Sequence, residues 1–201
     1  RVDRRQRQMC IRDRPSTQPK NKKIVFVTFD DGPTTKFTGE QLDNLEKAGA
    51  RATFFMIPPQ MRDVGKNMLS RSLKMGNALA IHSYSHDYKY LYHGSAANKA
   101  KHISCDWDWA MAQSRAILGS NYFSSAFRYP GGHMSWTNLS QADATLAKRG
   151  VGWIDWNAMS GDADAQRPTT VPGYLQMVKK SIKESLSLIH ISEPTRRRGI
   201  S

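Results

Sequence analysis

The chain has 201 residues, a formal net charge of +13 and two cysteines. A single pair of cysteines excludes a small disulfide-rich scaffold, and the length suits one domain with a substantial hydrophobic core. The positive surplus attracts anionic polymers such as nucleic acid, wall teichoic acids or acidic glycans, and charge alone does not separate these classes.

The two ends of the chain look foreign to its middle. Met9–Asp13 can be encoded by a DNA string whose reverse complement encodes Leu186–His190. One DNA element in opposite orientations therefore explains both ends, and the two segments resemble read-through of a transposon-type sequencing adapter. Without residues 1–14 and 186–201 the formal net charge is +7 and one cysteine remains. We interpret the chain as adapter artefacts at 1–14 and 186–201, a linker at 15–21 and a domain at 22–185.

Hydrophobic periodicity predicts strands that alternate with helices. Continuous apolar runs, many of them β-branched or aromatic, predict strands at Ile24–Phe29, Ala52–Ile57, Ala78–Ile81, Ser124–Phe127 and Val151–Ile154. Apolar residues at helical spacing predict helices at Thr38–Ala48, Met61–Met75, His102–Leu118, Leu139–Lys148 and Tyr174–Ser185. The first strand lacks polar alternation, so we expect both of its faces to be covered. The alternation favours an α/β fold with mainly parallel strands.

Polar side chains follow three of these strands directly. Asp30 and Asp31 come after the first strand, and His82 after the third, with His86 four residues later. Arg128 follows the fourth strand. Because α/β enzymes build their sites at the carboxyl ends of parallel strands, we expect these residues to share one site.

Two imidazoles and one carboxylate suit zinc, and catalytic zinc sites leave a position open for water. If Asp31 joins His82 and His86 as a ligand, Asp30 is left to act as a general base. Neighbouring carboxylates repel each other, and Arg128 is the candidate partner that offsets this repulsion and orients Asp30. Taken singly, the aspartates also fit a turn, and paired histidines often bind no metal.

Three segments, Thr28–Pro33, His82–His86 and Arg128–Gly132, resemble the successive motifs of the polysaccharide deacetylase family, the NodB-homology domain of carbohydrate esterase family 4. The resemblance covers Lys22–Ser185 and implies a distorted (β/α) barrel that removes acetyl groups from N-acetylated sugars with the help of a metal. It also implies a role for each residue: Asp30 as base, Asp31, His82 and His86 as metal ligands, Arg128 as the tether of the base, and Tyr129 as the donor of a backbone N–H to the oxyanion.

A looser match, Trp153–Asn157, resembles a fourth motif of the family. In that motif the acidic residue, here Asp155, orients the arginine. The tryptophan, here Trp156, lines the acetyl pocket. The Gly131–Gly132 pair, with Asp155–Asn157, looks most like Gram-positive cell-wall deacetylases. The resemblance thus implies peptidoglycan N-acetylglucosamine as substrate and an extracellular or cell-envelope location. We expect no nucleic-acid partner and no membrane contact within this segment, and the oligomeric state is left open. Zinc, cobalt, manganese and nickel all suit the ligand set.

Two other functions stay open at this point. An O-acetyl esterase acting on xylan would use the same chemistry, because its tetrahedral intermediate is similar. A noncatalytic module that binds glycans, or a basic module that binds polymers, belongs to a different class and needs no metal.

The family places a general-acid histidine in a Leu-x-His motif near the end of the domain. Leu188–His190 imitates this motif, but the adapter DNA already encodes it, so we reject His190 as the acid. We therefore expect a barrel truncated at its C-terminal end, without the last strand and its acid. Such a chain keeps its metal ligands but is weakly active or inactive.

Overall fold

The computed structural model describes residues 25–191, with side chains described through Ser185. They form two compact units that divide after Asp155. The described part of the first unit contains strands β1 to β5 at Val27–Gly32, Ala52–Met56, Ala78–Ile81, Ala126–Phe127 and Gly152–Trp153. Its α-helices, α1 to α5, span Thr38–Lys47, Met61–Lys74, Tyr88–Tyr92, Ala96–Leu118 and Ser140–Lys148. Two short 3₁₀ helices span Pro58–Gln60 and His133–Ser135.

The five strands form one parallel sheet in the order β1-β2-β3-β4-β5. Phe54 of β2 pairs with Leu79 of β3, and Ile81 of β3 pairs with Phe127 of β4. Because consecutive strands are neighbours and all run the same way, their carboxyl ends lie along one edge. The predicted alternation of strands and helices around a parallel sheet is confirmed.

The sheet buries side chains on both of its faces. Successive residues of a strand point to opposite faces, so Phe54 and Met56 of β2 join the large core, whereas Phe55 packs in a small cluster with Ala80 and Ala126. The helices cover the large-core face with their own apolar residues, which include Leu42, Leu45, Leu69, Ile103, Trp107, Ala110 and Leu146. Trp107 is 2% exposed and belongs to this core.

The prediction for the first strand is wrong in two respects. β1 begins at Val27 and includes Asp30 and Asp31, which were expected to follow it. Its residues are half-buried or exposed, and Phe26 just before it is 73% exposed, so the two faces are not both covered. The physical reason is its position, because within the described residues β1 is the edge strand and pairs only with β2.

Two helices differ from the sequence-based expectation because polar caps set their first residues. The helix predicted from His102 begins at Ala96, where the Ser95 hydroxyl accepts a hydrogen bond from the N–H of Asn98. The short helix α3 was not predicted, and the Asp87 carboxylate caps it by accepting hydrogen bonds from two backbone N–H groups. The other predicted helices and strands agree with the structure to within a few residues.

The second unit is described over residues 156–191 and consists of an irregular segment followed by helix α6, Val171–Ile191. The N–H of Met159 donates to the hydroxyl of Ser181 at 3.0 Å, and the Ser185 hydroxyl donates to the carbonyl of Asn157. Helix α6 contains the predicted helix Tyr174–Ser185 and extends it at both ends. Among the helices of the described residues, none is long and apolar enough to cross a membrane.

The interpretation of the chain ends stays a prediction. Residues 1–24, with the first adapter segment and the linker, and residues 192–201 lie outside the described residues. The side chain of His190 also lies outside the described side chains.

Candidate metal and acid–base site

Asp31 lies in a β-bulge at the carboxyl end of β1. The pairing of β1 with β2 shifts register between Phe29 and Gly32, and Asp31 has a φ of 63°. A bulge of this kind changes the direction in which a side chain points. Its effect here is that the adjacent carboxylates of Asp30 and Asp31 contact different partners, as two separate roles require.

His82 and His86 both approach the carboxylate of Asp31. The N–H of His82 donates to the carbonyl of Met56 at 2.8 Å, which extends the sheet ladder beyond β3. The buried His82 ring places Nδ1 2.9 Å from the carbonyl of Arg128, so Nδ1 donates to that carbonyl and Nε2 is the nitrogen left available to a metal. The Nε2 atoms of His82 and His86 lie 3.3 Å and 3.1 Å from Oδ1 of Asp31.

These three residues form a candidate metal site. One ligand atom from each of Asp31, His82 and His86 lies within 4.8 Å of the other two. The histidines do not lie one helical turn apart, because Ser83 and His86 have φ values of 72° and 49° in a loop after β3. Two imidazole nitrogens and a carboxylate oxygen are a donor set that fits zinc and similar divalent ions.

These short contacts shift the pKa values of Asp31 and His86 in opposite directions. Hydrogen bonds from His82 and His86 hold the pKa of the Asp31 carboxyl well below its usual range, although partial burial opposes this. The hydrogen bond with Asp31 in turn raises the pKa of His86 above 6.5, again against partial burial. A cation that binds here therefore competes with a proton for His86.

Asp30 is paired with a buried arginine. Nη1 of Arg128 lies 2.7 Å from Oδ1 of Asp30 and 2.8 Å from the hydroxyl of Thr28. The arginine side chain is 2% exposed, whereas that of Asp30 is 26% exposed. A carboxylate held this way has one oxygen engaged by a fixed positive charge and keeps access to solvent.

The guanidinium of Arg128 is itself held from several sides. Its Nε donates to the carbonyl of Ile154 at 2.9 Å, and its Nη2 lies 3.4 Å from the carbonyl of Asp155. Its central carbon lies 3.9 Å from the centre of the Phe55 ring, a cation–π arrangement. Arg128 thus connects the ends of β1, β4 and β5.

The Asp155 carboxylate contacts the turn after the third motif, and its role in orienting the arginine stays a prediction. Its two oxygens accept hydrogen bonds from the N–H groups of His133 and Met134, at 2.9 and 3.0 Å. The contact with Arg128 is made by the backbone carbonyl of Asp155. The residue therefore supports the arginine through its main chain and the turn after the third motif through its side chain.

Tyr129 and Trp156 are the remaining predicted site residues. The Tyr129 ring is buried in the core, and its hydroxyl donates to Oδ1 of Asp143 at 2.8 Å. Burial, with the adjacent Asp143 carboxylate, raises the pKa of the Tyr129 phenol. The role of its backbone N–H stays a prediction. Trp156 begins the second unit, so its role at the acetyl group also stays a prediction.

Sequence reasoning missed Asp106, which contacts the loop between the two histidines. This residue of α4 is 0% exposed, and its carboxylate accepts hydrogen bonds from the N–H groups of Tyr84 and Ser85. A signal was present in the sequence, because an aspartate stands next to Trp107 in the apolar stripe of a predicted helix. A charged residue at a core-facing position is rare unless it has partners.

Comparison with known proteins agrees with the geometry. Residues 17–148 match the family model described as polysaccharide deacetylase. A bifunctional xylanase/deacetylase of Pseudobutyrivibrio xylanivorans is 42% identical over 71 residues, 35% of this chain and 12% of that protein. A peptidoglycan-N-acetylglucosamine deacetylase of Bacillus cereus is 28% identical over 149 residues, 72% of this chain and 50% of that protein. The chain thus spans half or less of the length of these two relatives.

A solved structure carries the fold assignment. The CE4 esterase of Streptococcus mutans superposes with a TM-score of 0.73 and 38% identity, over 91% of this chain and 74% of that one. This match, together with the parallel α/β sheet, confirms the predicted fold class, a distorted (β/α) barrel of NodB-homology type. The family model covers more than half of the 201 residues. The chain therefore belongs to the polysaccharide deacetylase family, the carbohydrate esterases of family 4.

Proposed function

We propose that this chain is a metal-dependent hydrolase that removes N-acetyl groups from a cell-wall polysaccharide, with peptidoglycan N-acetylglucosamine as its substrate. The observation that carries the proposal is the convergence of Asp31, His82 and His86 beside a carboxylate, Asp30, that is paired with buried Arg128. The peptidoglycan substrate is supported by the Bacillus cereus relative, whose name specifies it. A cell-envelope or extracellular location follows from such a substrate.

Asp31, His82 and His86 would hold the divalent ion, with zinc as the expected metal and cobalt, manganese or nickel as alternatives. When bound, the ion acts as a Lewis acid toward an acetyl carbonyl and lowers the pKa of water. The hydrogen bond from His82 Nδ1 to the Arg128 carbonyl keeps the ligand nitrogen aimed at the site.

Asp30 is the general base in this proposal. It accepts a proton from the water whose oxygen forms a bond to the acetyl carbon, while Arg128 fixes the direction of the carboxylate. The backbone N–H of Tyr129 donates a hydrogen bond to the developing oxyanion. The carbon–nitrogen bond then breaks, and the nitrogen leaves with the proton that Asp30 accepted. One amide and one water thus give one acetate and one protonated amine, which takes up both protons of the water.

Asp30 carries the proton in both directions in this proposal, first from the water and then to the leaving nitrogen. Metal binding depends on none of these steps, so it is the more direct test of the site.

A second candidate substrate is O-acetylated xylan. The 42% identity to a bifunctional xylanase/deacetylase favours it, although that match covers only 35% of this chain. An ester has a better leaving group than an amide and does not need a strong acid.

Two measurements on the purified chain test the proposal. Calorimetric titration with zinc should give one site in the wild type, and Asp31→Asn should lose it. Acetate release from peptidoglycan, chitooligosaccharide and acetylxylan should then rank peptidoglycan first, and Asp30→Asn should abolish release without abolishing zinc binding. Asp63→Asn, on the exposed side of α2, is the matched control and should change neither result.

The outcomes separate the alternatives. A folded wild type that takes up no zinc would overturn the metal site. Release from acetylxylan alone would assign the esterase function. A folded wild type that releases acetate from none of the three substrates would favour the noncatalytic module. Acetate release that persists fully in Asp31→Asn would favour a metal-independent function.

A further inference from the structure

The carboxylate of Asp106 is bonded to the loop that carries both metal-site histidines. Its Oδ1 lies 2.6 Å from the N–H nitrogen of Tyr84, and its Oδ2 lies 2.8 Å from that of Ser85. These two amides belong to residues between His82 and His86. Both carboxylate oxygens thus hold the centre of the five-residue segment from a different element, helix α4.

The loop needs such support because its backbone is unfavourable on its own. Ser83 and His86 have φ values of 72° and 49°, a region that residues other than glycine adopt at a cost. The hydroxyl of buried Ser83 accepts a hydrogen bond from the N–H of His86 at 3.0 Å. The loop conformation, which the local sequence does not favour, is therefore held by one internal hydrogen bond and by two hydrogen bonds that the Asp106 carboxylate accepts.

Packing alone does not explain an aspartate at position 106. The neighbouring residues on the same face of α4, Ile103, Trp107 and Ala110, are buried and apolar. A carboxylate that is removed from water at 0% exposure is costly unless hydrogen bonds compensate. An apolar residue would fill this position at lower cost, so the two bonds to the loop are what the carboxylate contributes.

We propose that Asp106 is a positioning residue that sets the metal-binding geometry of the loop. By fixing the amides of Tyr84 and Ser85, it holds the loop in the form in which the two imidazoles converge on Asp31. This inference rests on the proposed metal site. Asp106 contacts neither the metal nor the substrate, and it acts through the placement of His82 and His86.

Asp106→Asn tests the proposal with little change in side-chain shape. The amide retains one oxygen acceptor, so one of the two loop bonds is lost and the charge is removed. Loss of an outer-shell partner typically costs 10- to 100-fold in metal affinity, and we expect a loss in zinc affinity of about that size. Asp108→Asn is the matched control, since it makes the same change two residues further along α4, at an exposed surface ion pair with Arg149. The control should bind zinc as the wild type does.

Hydrogen exchange gives a second measurement that needs neither metal nor activity. In the metal-free wild type, the amide hydrogens of Tyr84 and Ser85 should exchange far more slowly than exposed amides, and in Asp106→Asn they should exchange faster. A thermal melt of each variant shows that it is folded. The wild-type measurement alone tests the anchor if Asp106→Asn does not fold.

The results distinguish this inference from the function on which it rests. Zinc affinity of a folded Asp106→Asn equal to that of the wild type would overturn the positioning role. Rapid exchange of both amides in the folded wild type would overturn the anchoring contact. If the wild type itself binds no zinc, the proposed function fails, and the exchange data still report on the anchor.

Discussion

Nη1 of Arg128 lies 2.7 Å from Oδ1 of Asp30, although the two residues are 98 positions apart in the chain. The parallel sheet makes this contact possible, since it places the ends of β1 and β4 at the same edge. The arginine is buried and the aspartate is partly open to solvent. A charge that is held rigidly in the interior thus orients a carboxylate that water can reach.

Arg128→Lys should leave the Asp30 carboxylate without a fixed orientation, while the metal site should still bind zinc. A lysine ammonium has no planar fork, so it cannot serve Asp30, Thr28 and the carbonyl of Ile154 together. General-base catalysis contributes about 10²- to 10⁴-fold, and we expect the rate of acetate release to fall at least to the lower end of that range. Calorimetry should show zinc affinity within a few-fold of the wild type. A wild-type rate in Arg128→Lys would show that the arginine has no part in catalysis.

Asp31→Asn should lower the pKa of His86 in the metal-free protein. The carboxylate raises that pKa above 6.5, chiefly through its hydrogen bond, so an uncharged amide should return it toward the ordinary value. Titration of the imidazole followed by NMR measures this directly. Asp87→Asn is the matched control, because that neighbouring carboxylate caps α3 instead. If His86 titrates identically in the wild type and in Asp31→Asn, the contact is absent in solution.

Zinc affinity should rise with pH because of the hydrogen bond between Asp31 and His86. A ligand histidine binds metal only as the neutral ring, and the pKa of His86 is raised. The affinity should therefore be lowest in acid and rise with pH, by up to about tenfold per pH unit for one displaced proton. The rise should continue past pH 6.5 and level off above the raised pKa of His86. A pH-independent affinity between pH 5 and 8 would contradict a proton on His86.

Tyr129→Phe should destabilise the fold without affecting zinc binding. The buried hydroxyl donates to Asp143, and its removal takes a hydrogen bond from a carboxylate that would keep its contact with His133 at 3.0 Å. Loss of such a bond lowers the free energy of unfolding by about 1–3 kcal/mol, measurable by urea denaturation. Tyr90→Phe, on a half-buried ring, is the control and should cost less. Equal free energies of unfolding for Tyr129→Phe and the wild type would show that the buried hydrogen bond makes no net contribution to stability.

Much of the fold could be predicted from local pattern. The strand Ala78–Ile81 and the helix bounds near Met61 and Ser140 follow from apolar periodicity, which depends on residues close in sequence. The error at β1 has a different origin. The run Ile24–Phe29 is apolar enough for an interior strand, but its place at the edge of the described sheet is decided by which strands pair.

The types of the candidate site residues could be read directly from the amino-acid sequence. Two adjacent aspartates, two histidines four residues apart and an arginine after successive strands are enough to predict a ligand set, a base and its partner. The type of a residue decides which protons and cations its side chain can bind, and the sequence gives the type of every residue.

The contacts that hold these side chains in place depend on how the helices and strands pack. The bulge at Asp31, the two bonds from Asp106 to the histidine loop and the use of the Asp155 carboxylate on a turn all join atoms that are distant in sequence or depend on backbone direction. Such contacts form when helices and strands pack, because hydrogen bonds require angstrom-level placement that periodicity does not encode.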